Sequence, residues 1–209
     1  MKVAFITTKK FHTSSNIPIK TRADNLLMET VNNHGKFVKL IPASTLKGVL
    51  RTSLIRISKA LGYDNTVPSI QPEKIRNHKD IVTLIFGKPG EDFSKITIEN
   101  AYYTGETYTL VHIRIDDERG IVKEEGLYSA EYIPAGERFS TKIKCTDFSI
   151  EEVRALLAAL VNLRYENIGK DSFTFVKIEE ITPKEIIEEL KKDEITSLLL
   201  KALIEEDKK

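Results

Sequence analysis

The spacing of apolar residues along the chain predicts alternating strands and helices. Residues 2–8 alternate loosely between polar and apolar positions, which is typical of a first β-strand. Residues 36–41 predict a second strand, which returns from a turn at residues 32–35. After Pro42 the apolar positions recur at spacings of three and four, which predicts a helix. One face of this helix would carry Leu46, Leu50, Ser53, Leu54, Ile57 and Leu61.

The downstream segments complete the pattern of an α+β protein. Four further strands are predicted at residues 95–104, 108–115, 127–133 and 138–145. A capping box at residues 149–152 begins a second helix, and residues 173–181 form the last predicted strand. Helical periodicity resumes at Pro183 and continues toward the C-terminus.

This order of elements contains a β-α-β-β-α-β skeleton. We therefore predict a ferredoxin-like (RRM-like) α+β core over residues 1–182, followed by a C-terminal helical extension at residues 183–209. Two long insertions, at about residues 9–35 and 112–128, are expected to leave this core as an N-terminal loop and a hairpin.

Composition limits the class of protein. Of the 209 residues, 41% are hydrophobic, and no apolar run approaches the roughly 18 residues that a membrane span needs. We therefore predict a soluble, cytoplasmic protein with no membrane partner. The lone Cys145 excludes an internal disulfide and any multi-cysteine metal site.

The charge is distributed unevenly along the chain. Residues 1–80 contain 14 Lys and Arg against 5 Asp and Glu, a net charge of +9. Residues 81–209 contain 18 Lys and Arg against 26 Asp and Glu, a net charge of −8. The asymmetry favours anion binding on one face if the two parts stay apart, and it has no such meaning if they interleave in the fold.

Residues 41–51 combine a helix start with hydroxyl and cationic side chains. The first turn of a helix presents unpaired N–H groups and a positive dipole end, a geometry that binds phosphate. Ser44 or Thr45 is expected to cap the helix, and Lys47 and Arg51 lie four apart on its polar side. The spacing is equally compatible with an amphipathic helix whose basic face is merely solvated.

The same residues, Ile-Pro-Ala-Ser-Thr-Leu-Lys-Gly-Val-Leu-Arg, resemble the signature of the CRISPR-associated RAMP superfamily. Further segments are similar to family motifs and follow in the family's order at residues 84–87, 98–103, 111–120 and 126–128, then at Glu131, residues 134–136 and Phe139. The resemblance covers roughly residues 2–181. It is closest to the small backbone subunit of type III (Csm/Cmr-type) effector complexes, which act in antiviral defence.

The resemblance implies partners and a mode of RNA binding. Such subunits stack with copies of themselves and with other RAMP subunits in a helical filament along a guide RNA, which pairs with a target RNA. A thumb-like hairpin, here around residues 116–125, inserts between bases; the alternative is that its tip packs on its own domain. The residues expected to contact RNA are Lys20, Arg22, Ser44, Thr45, Lys47, Arg51, Ile121, Val122 and Lys170.

The resemblance also implies a catalytic residue. In type III backbone subunits an Asp in the long loop before the returning strand cleaves the bound target RNA with a divalent metal, and Asp24 occupies that loop. We therefore predict Asp24 as the catalytic residue and metal ligand, with Mg²⁺ as the cofactor and RNA oxygens completing its shell. The alternative is an exposed aspartate paired with Arg22 or Lys20.

Two further functions remain open at this point. The family's Gly-rich loop is reduced here to Gly169, followed by Lys170, which weakens the expectation of close backbone approach to RNA. The chain could accordingly be a purely structural RNA-binding subunit without catalysis. It could also be a metal-independent endoribonuclease that processes precursor guide RNA through His12.

Overall fold

Nine strands, five α-helices and a short 3₁₀ helix (Leu163–Tyr165) are present in the part of the chain that the structure describes. This computed structural model describes residues 1–13, 24–32, 34–63, 80–88, 93–169 and 172–204. The strands are β1 (Lys2–Thr7), β2 (Glu29–Val31), β3 (Phe37–Ile41), β4 (Ile96–Ile98), β5 (Ala101–Tyr103), β6 (Tyr108–Ile115), β7 (Val122–Tyr132), β8 (Arg138–Cys145) and β9 (Thr174–Glu180). The helices are α1 (Ala43–Ile57), α2 (Ile81–Phe86), α3 (Ile150–Asn162), α4 (Glu185–Leu190) and α5 (Glu194–Ile204).

The central sheet has the strand order β4-β8-β1-β9, and its neighbouring strands are antiparallel. With α1 between β1 and β4 and α3 between β8 and β9, this is the predicted ferredoxin-like β-α-β-β-α-β arrangement, which is confirmed. The first strand is buried because it is central, and the rings of Phe5 and Phe139 on β1 and β8 stack at 5.3 Å. The two crossing helices are joined by a bond from the Ser53 hydroxyl to the Ala159 carbonyl.

A second sheet, in the order β2-β3-β5, lies outside this core sheet. The predicted turn at residues 32–35 is present, and the Asn32 side chain accepts from the main-chain N–H groups of His34 and Lys36. The strand predicted at residues 95–104 is split into β4 and β5, which belong to different sheets. The chain leaves one sheet for the other at Glu99–Asn100, because the N–H of Glu99 bonds β8 while the Asn100 side chain bonds the start of α1.

The hairpin insertion forms a two-stranded antiparallel ribbon of β6 and β7. We refer to β6, β7 and the turn between them as the ribbon. Its second strand begins at Val122 rather than at residue 127, because the turn is tight: the Asp116 carboxylate accepts from the N–H groups of Glu118 and Arg119. Gly120, at φ 64°, completes the turn. The pairing register shifts between the pairs Ile113–Leu127 and Ile115–Val122, so residues 123–126 of β7 lie in an irregular part of the ribbon.

The helices begin at side-chain caps where the sequence provides them. The predicted capping box of α3 is present, with Ser149 and Glu152 bonding each other's main-chain N–H groups. A second capping box, formed by Asp80 and Thr83, begins α2, a helix that the pattern did not predict. Leu190, Leu200 and Leu203 of the C-terminal helices pack into the main hydrophobic core. Among the described residues, no helix has the length and apolarity needed to cross a membrane.

Candidate nucleic-acid interface

One face of the ribbon carries a row of aromatic and cationic side chains. Directly paired residues of an antiparallel ribbon share a face, and here Tyr108 pairs with Tyr132 and His112 with Tyr128. The rings of His112 and Tyr128 stack at 5.1 Å, and the Tyr132 hydroxyl bonds His112 Nε2 at 2.8 Å. The Arg114 guanidinium lies 5.2 Å from the Tyr128 ring centre. We call these five side chains the aromatic face.

The ribbon also exposes aliphatic side chains. Val111, Ile113 and Ile115 of β6 and Val122 and Leu127 of β7 are all more than half exposed. Ile121, at the end of the turn, is 58% exposed, and Val122 is 53% exposed. The alternative expectation, a tip packed on its own domain, is therefore wrong. Exposed apolar side chains on a projecting ribbon are suited to wedging between bases or to contacting another subunit.

A cavity of about 460 Å³ lies at the base of the ribbon. The segment after β1, the segment before β2, the start of α1, the loop after α3 and the aromatic face all contribute to its wall. We call it the junction cavity. The described residues that line it are His12, Thr13, Asn25, Thr45, Arg114, Tyr128, Ala130, Tyr132 and Gly169. The structure thus brings Thr45 of the predicted RNA-binding set together with His12, the candidate of the alternative endoribonuclease function, and with Gly169 of the Gly-rich loop. The aromatic-face residues beside them were not assigned to RNA by the sequence analysis.

His12 is held tightly in the floor of this cavity. It is only 7% exposed, and its main-chain N–H donates to the Ser172 hydroxyl at 2.9 Å. Its ring Nδ1 lies 2.7 Å from the Glu131 carbonyl oxygen. Because a carbonyl can only accept, Nδ1 carries the proton and, in the neutral ring, Nε2 is the acceptor.

Gly169 approaches protein backbone at this point. Its φ is +89°, and a Cβ built on it would lie 2.3 Å from the His12 carbonyl oxygen. The surviving glycine of the family's loop therefore permits contact between the loop after α3 and the segment after β1. The neighbouring Lys170, predicted to contact a phosphate, lies outside the described residues.

Asp24 is bound to the outer edge of β7. Its carboxylate Oδ2 accepts from the main-chain N–H of Ser129 at 2.6 Å and from the Ser129 hydroxyl at 2.9 Å, while Oδ1 carries neither bond. These bonds from Ser129 lower the pKa of Asp24, so this exposed side chain is ionised at neutral pH. The next residue, Asn25, continues along β7 with main-chain bonds to Ser129 and Glu131. Lys20 and Arg22, its alternative partners, lie outside the described residues.

The donor set around Asp24 fits a metal only in part. Among the described residues there is no group of three or more His, Cys, Asp or Glu side chains placed to hold a metal ion. Asp24 would therefore be one oxygen ligand, and a hard cation such as Mg²⁺ would take its other ligands from RNA and water. That arrangement is compatible with a cation that binds together with RNA rather than before it.

Glu131 is a buried residue that the sequence analysis did not assign to the site. Its Oε1 accepts from the Thr107 hydroxyl at 2.6 Å and lies 2.5 Å from Lys39 Nζ, and its Oε2 accepts from the Leu27 N–H at 3.1 Å. Burial raises the pKa of Glu131, but the ammonium of Lys39 and the hydroxyl of Thr107 outweigh it and hold the pKa below its usual value. The sequence offered one signal for it, the position of Glu131 in the motif order that resembles the RAMP superfamily, but that resemblance gave it no role.

The start of α1 differs from its predicted form. Pro42 is the N-cap, and neither Ser44 nor Thr45 caps the helix, because both lie inside the first turn. The side-chain oxygen of Asn100 instead accepts from the Ala43 N–H at 2.8 Å. Ser44 and Thr45 are left to line a shallow groove of about 300 Å³ along α1.

Lys47 and Arg51 are neighbours, as their spacing predicted, but they are placed differently. Burial and the charge of Arg51 lower the pKa of Lys47. Burial also lowers the pKa of Arg51, and the nearby Asp80 opposes that shift. Arg51 Nε and Asp80 Oδ2 are both buried, with no hydrogen-bond partner among the described residues. Both side chains are thus partly buried, with Arg51 near Asp80 at the start of α2, so the alternative of a merely solvated basic face does not describe them.

The fold and this interface define a ferredoxin-like α+β protein with an aromatic ribbon inserted before its third core strand. The sequence model of the RAMP superfamily matches residues 7–173, and the chain belongs to that superfamily. Its fold is similar to a chain of a solved structure described as "Type IV-B CRISPR Complex", with a TM-score of 0.58 and 12% identity. The match covers 88% of this chain and 93% of that chain. Among curated proteins the sequence has no significant match.

Proposed function

We propose that this protein is a guide-RNA-binding subunit of a CRISPR effector complex. The observation that carries the proposal is the junction cavity, where the start of α1 and the aromatic face of the ribbon meet. Helix starts bind phosphate, and aromatic side chains stack on bases without reading their sequence. Membership of the RAMP superfamily and the fold shared with a chain of a CRISPR complex support the same function.

The phosphate-binding part of the interface lies on and beside α1. The main-chain N–H groups of its first turn have no partners within the helix, and Asn100 occupies the first of them. Burial, and after it the nearby charge of Arg51, lowers the pKa of Lys47. An anion bound beside them relieves that repulsion, which favours a phosphate over a neutral ligand.

Because the sequence resembles the backbone subunits of type III complexes, we propose that this complex is of type III. Copies of the chain would stack with other RAMP subunits in a filament along the guide RNA, and target RNA would pair with that guide. In this arrangement Ile121 and Val122, exposed at the end of the ribbon, would act as wedges between bases. Asp24 would contact target RNA from the edge of β7.

Lys47→Ala is expected to weaken RNA binding about equally for unrelated sequences. A lost phosphate contact of a partly buried lysine should reduce affinity about tenfold. It should also reduce the slope of log K against log salt concentration by about 0.7. Salt-titrated binding of two unrelated single-stranded RNAs measures both effects.

Lys59→Ala provides the matched control, because Lys59 is exposed just beyond the end of α1. This variant should keep both the affinity and the salt slope. Arg51→Ala should be analysed separately, since a partly buried guanidinium near Asp80 contributes to folding as well. If a folded Lys47→Ala protein keeps the wild-type affinity and slope, α1 does not bind phosphate.

We also propose that Asp24 cleaves target RNA together with a divalent cation. The supporting observation is an exposed, ionised carboxylate that Ser129 fixes by one oxygen while leaving Oδ1 without that contact. Asp24 would hold the cation with RNA oxygens, and the cation would activate the attacking hydroxyl or stabilise the leaving oxygen. What the chain itself does is position this negative charge beside the ribbon.

Asp24→Asn is expected to reduce Mg²⁺-dependent target cleavage by an assembled complex at least about tenfold. An asparagine can still accept from Ser129, so the loop should stay in place while the charge is lost. Asp117→Asn, an exposed change in the turn of the ribbon, serves as the control. Undiminished cleavage by Asp24→Asn would exclude Asp24 as the catalytic residue. Cleavage of precursor guide RNA by the isolated protein in EDTA would instead favour the alternative in which His12 is catalytic.

A further inference from the structure

The last helix, α5, is apolar on two opposite faces. The residues that its inner face buries against the domain are Thr196, Leu200 and Leu203. Its outer face exposes Ile195, Leu198 and Ala202, which recur at spacings of three and four, and we call these three side chains the outer stripe. Ile195 is 50% exposed and Leu198 is 60% exposed. A helix that is apolar all round is normally covered on every side, so the outer stripe indicates a partner.

The domain fixes the direction in which α5 faces. At its start, the Asp193 carboxylate accepts from the Thr196 N–H at 2.8 Å and from the Arg154 guanidinium of α3 at 2.7 Å. Near its end, the Arg164 guanidinium donates to the Ala202 carbonyl at 2.6 Å. Because both ends of α5 are bonded in this way, the helix keeps its inner face on the domain and presents the outer stripe to solvent.

Two opposite charges flank the outer stripe. Glu194 and Lys201 are both exposed, and neither side chain has an ion-pair or hydrogen-bond partner among the described residues. They lie seven positions apart, close to two helical turns, so they stand on the same side of the stripe. Two such helices packed antiparallel would place Glu194 of each copy beside Lys201 of the other. Parallel packing would instead bring like charges together.

We propose that two copies of this chain pair through α5, antiparallel about a two-fold axis that passes near Leu198. Ile195 of each copy packs beside Ala202 of the other, and the two Leu198 side chains meet at the centre. Residues 205–209 contain no apolar side chain that could cover the stripe instead. The stripe shares no residue with the candidate nucleic-acid interface, so the inference does not rest on the proposed function. A contact of three helical turns is small, so we expect a weak dimer whose population rises with protein concentration.

The first test is sedimentation equilibrium of the full chain, without RNA, over a range of protein concentrations. Leu198→Ala should raise the dissociation constant of the dimer at least about tenfold, because one substitution removes a contact side chain from both copies. Leu84→Ala is the matched control, since Leu84 is an exposed leucine of α2 outside the stripe, and it should keep the wild-type value. Alanine is a good helix former, so both monomers should stay folded in a thermal melt.

Charge reversal tests the identity and the orientation of the partner. Glu194→Lys and Lys201→Glu should each raise the dissociation constant about fivefold, because two ion pairs are replaced by like charges. An equal mixture of the two variants should form more dimer than either variant alone, since opposite charges then face each other at both ends. The double reversal in one chain should restore the wild-type dimer for the same reason.

Three results would overturn the proposal. One is a wild-type protein that stays monomeric up to about 1 mM, which would leave the outer stripe without affinity for a second copy. Another is a dimer that Leu198→Ala does not weaken, which would mean that the copies meet through a different surface. The third is a pair of single reversals that weaken the dimer but are not rescued by mixing. Since no RNA is present, none of these results bears on the proposed RNA-binding function.

Discussion

Gly169→Ala is expected to lower the free energy of unfolding by about 2–5 kcal/mol and to abolish RNA binding at the junction cavity. A left-handed φ of +89° is unfavourable for alanine, and its Cβ would lie 2.3 Å from the His12 carbonyl oxygen. The loop after α3 or the segment carrying His12 must therefore move, and both line the cavity. Urea unfolding and RNA binding on the same preparation measure the two effects.

Gly62→Ala isolates the contribution of backbone strain. Gly62 has nearly the same φ, +86°, but nothing lies within 4 Å of its added Cβ. The Gly62→Ala substitution should lower the free energy of unfolding by only about 1–2 kcal/mol and leave RNA binding unchanged. If the two substitutions have the same effect, the close approach of Gly169 to His12 has no energetic importance.

Glu131→Ala is expected to lower the free energy of unfolding by about 2–4 kcal/mol. The change removes the acceptor of Thr107 and of the Leu27 N–H, and it leaves Lys39 with one of its two carboxylate partners. Because this carboxylate anchors the segment that begins at Asp24, target cleavage should fall together with stability. Denaturant unfolding of the variant gives the first effect directly.

Glu29→Ala is the matched control, since Glu29 binds the same Lys39 from an exposed position. A surface ion pair contributes little to stability, so the free energy of unfolding of this variant should fall by less than about 1 kcal/mol. Equal losses in the two variants would mean that Glu131 acts only as a surface charge.

The contribution of Glu131 should also depend on pH. Its pKa is lowered in the folded protein, so the stabilisation is fully present above the unfolded value of about 4.3 and is lost as pH falls through the folded value. The difference in stability between wild type and Glu131→Gln should therefore shrink at acid pH. A difference that stays constant below pH of about 4 would contradict this linkage.

Local sequence patterns were sufficient for the core elements. The capping box of Ser149 and Glu152 and the turn at Asn32 join residues three or four positions apart, so their bonds form within a single turn of chain. The apolar spacing of α1 likewise depends on one face of one helix. The order of these elements was enough for the ferredoxin-like core, and ordered motifs were enough for the RAMP superfamily.

The candidate site was decided by tertiary structure. Asp24 and Ser129 are 105 positions apart, Leu27 and Glu131 are 104, and the segments of His12 and Gly169 meet only because the loop after α3 reaches the segment after β1. The sequence placed Ser44 or Thr45 as a cap, whereas Asn100, 57 positions from Ala43, bonds the start of α1. The periodicity of a sequence shows which face of a helix or strand is apolar. It does not show which distant groups complete the hydrogen bonds of that element, because the sheets have to bring those segments together first.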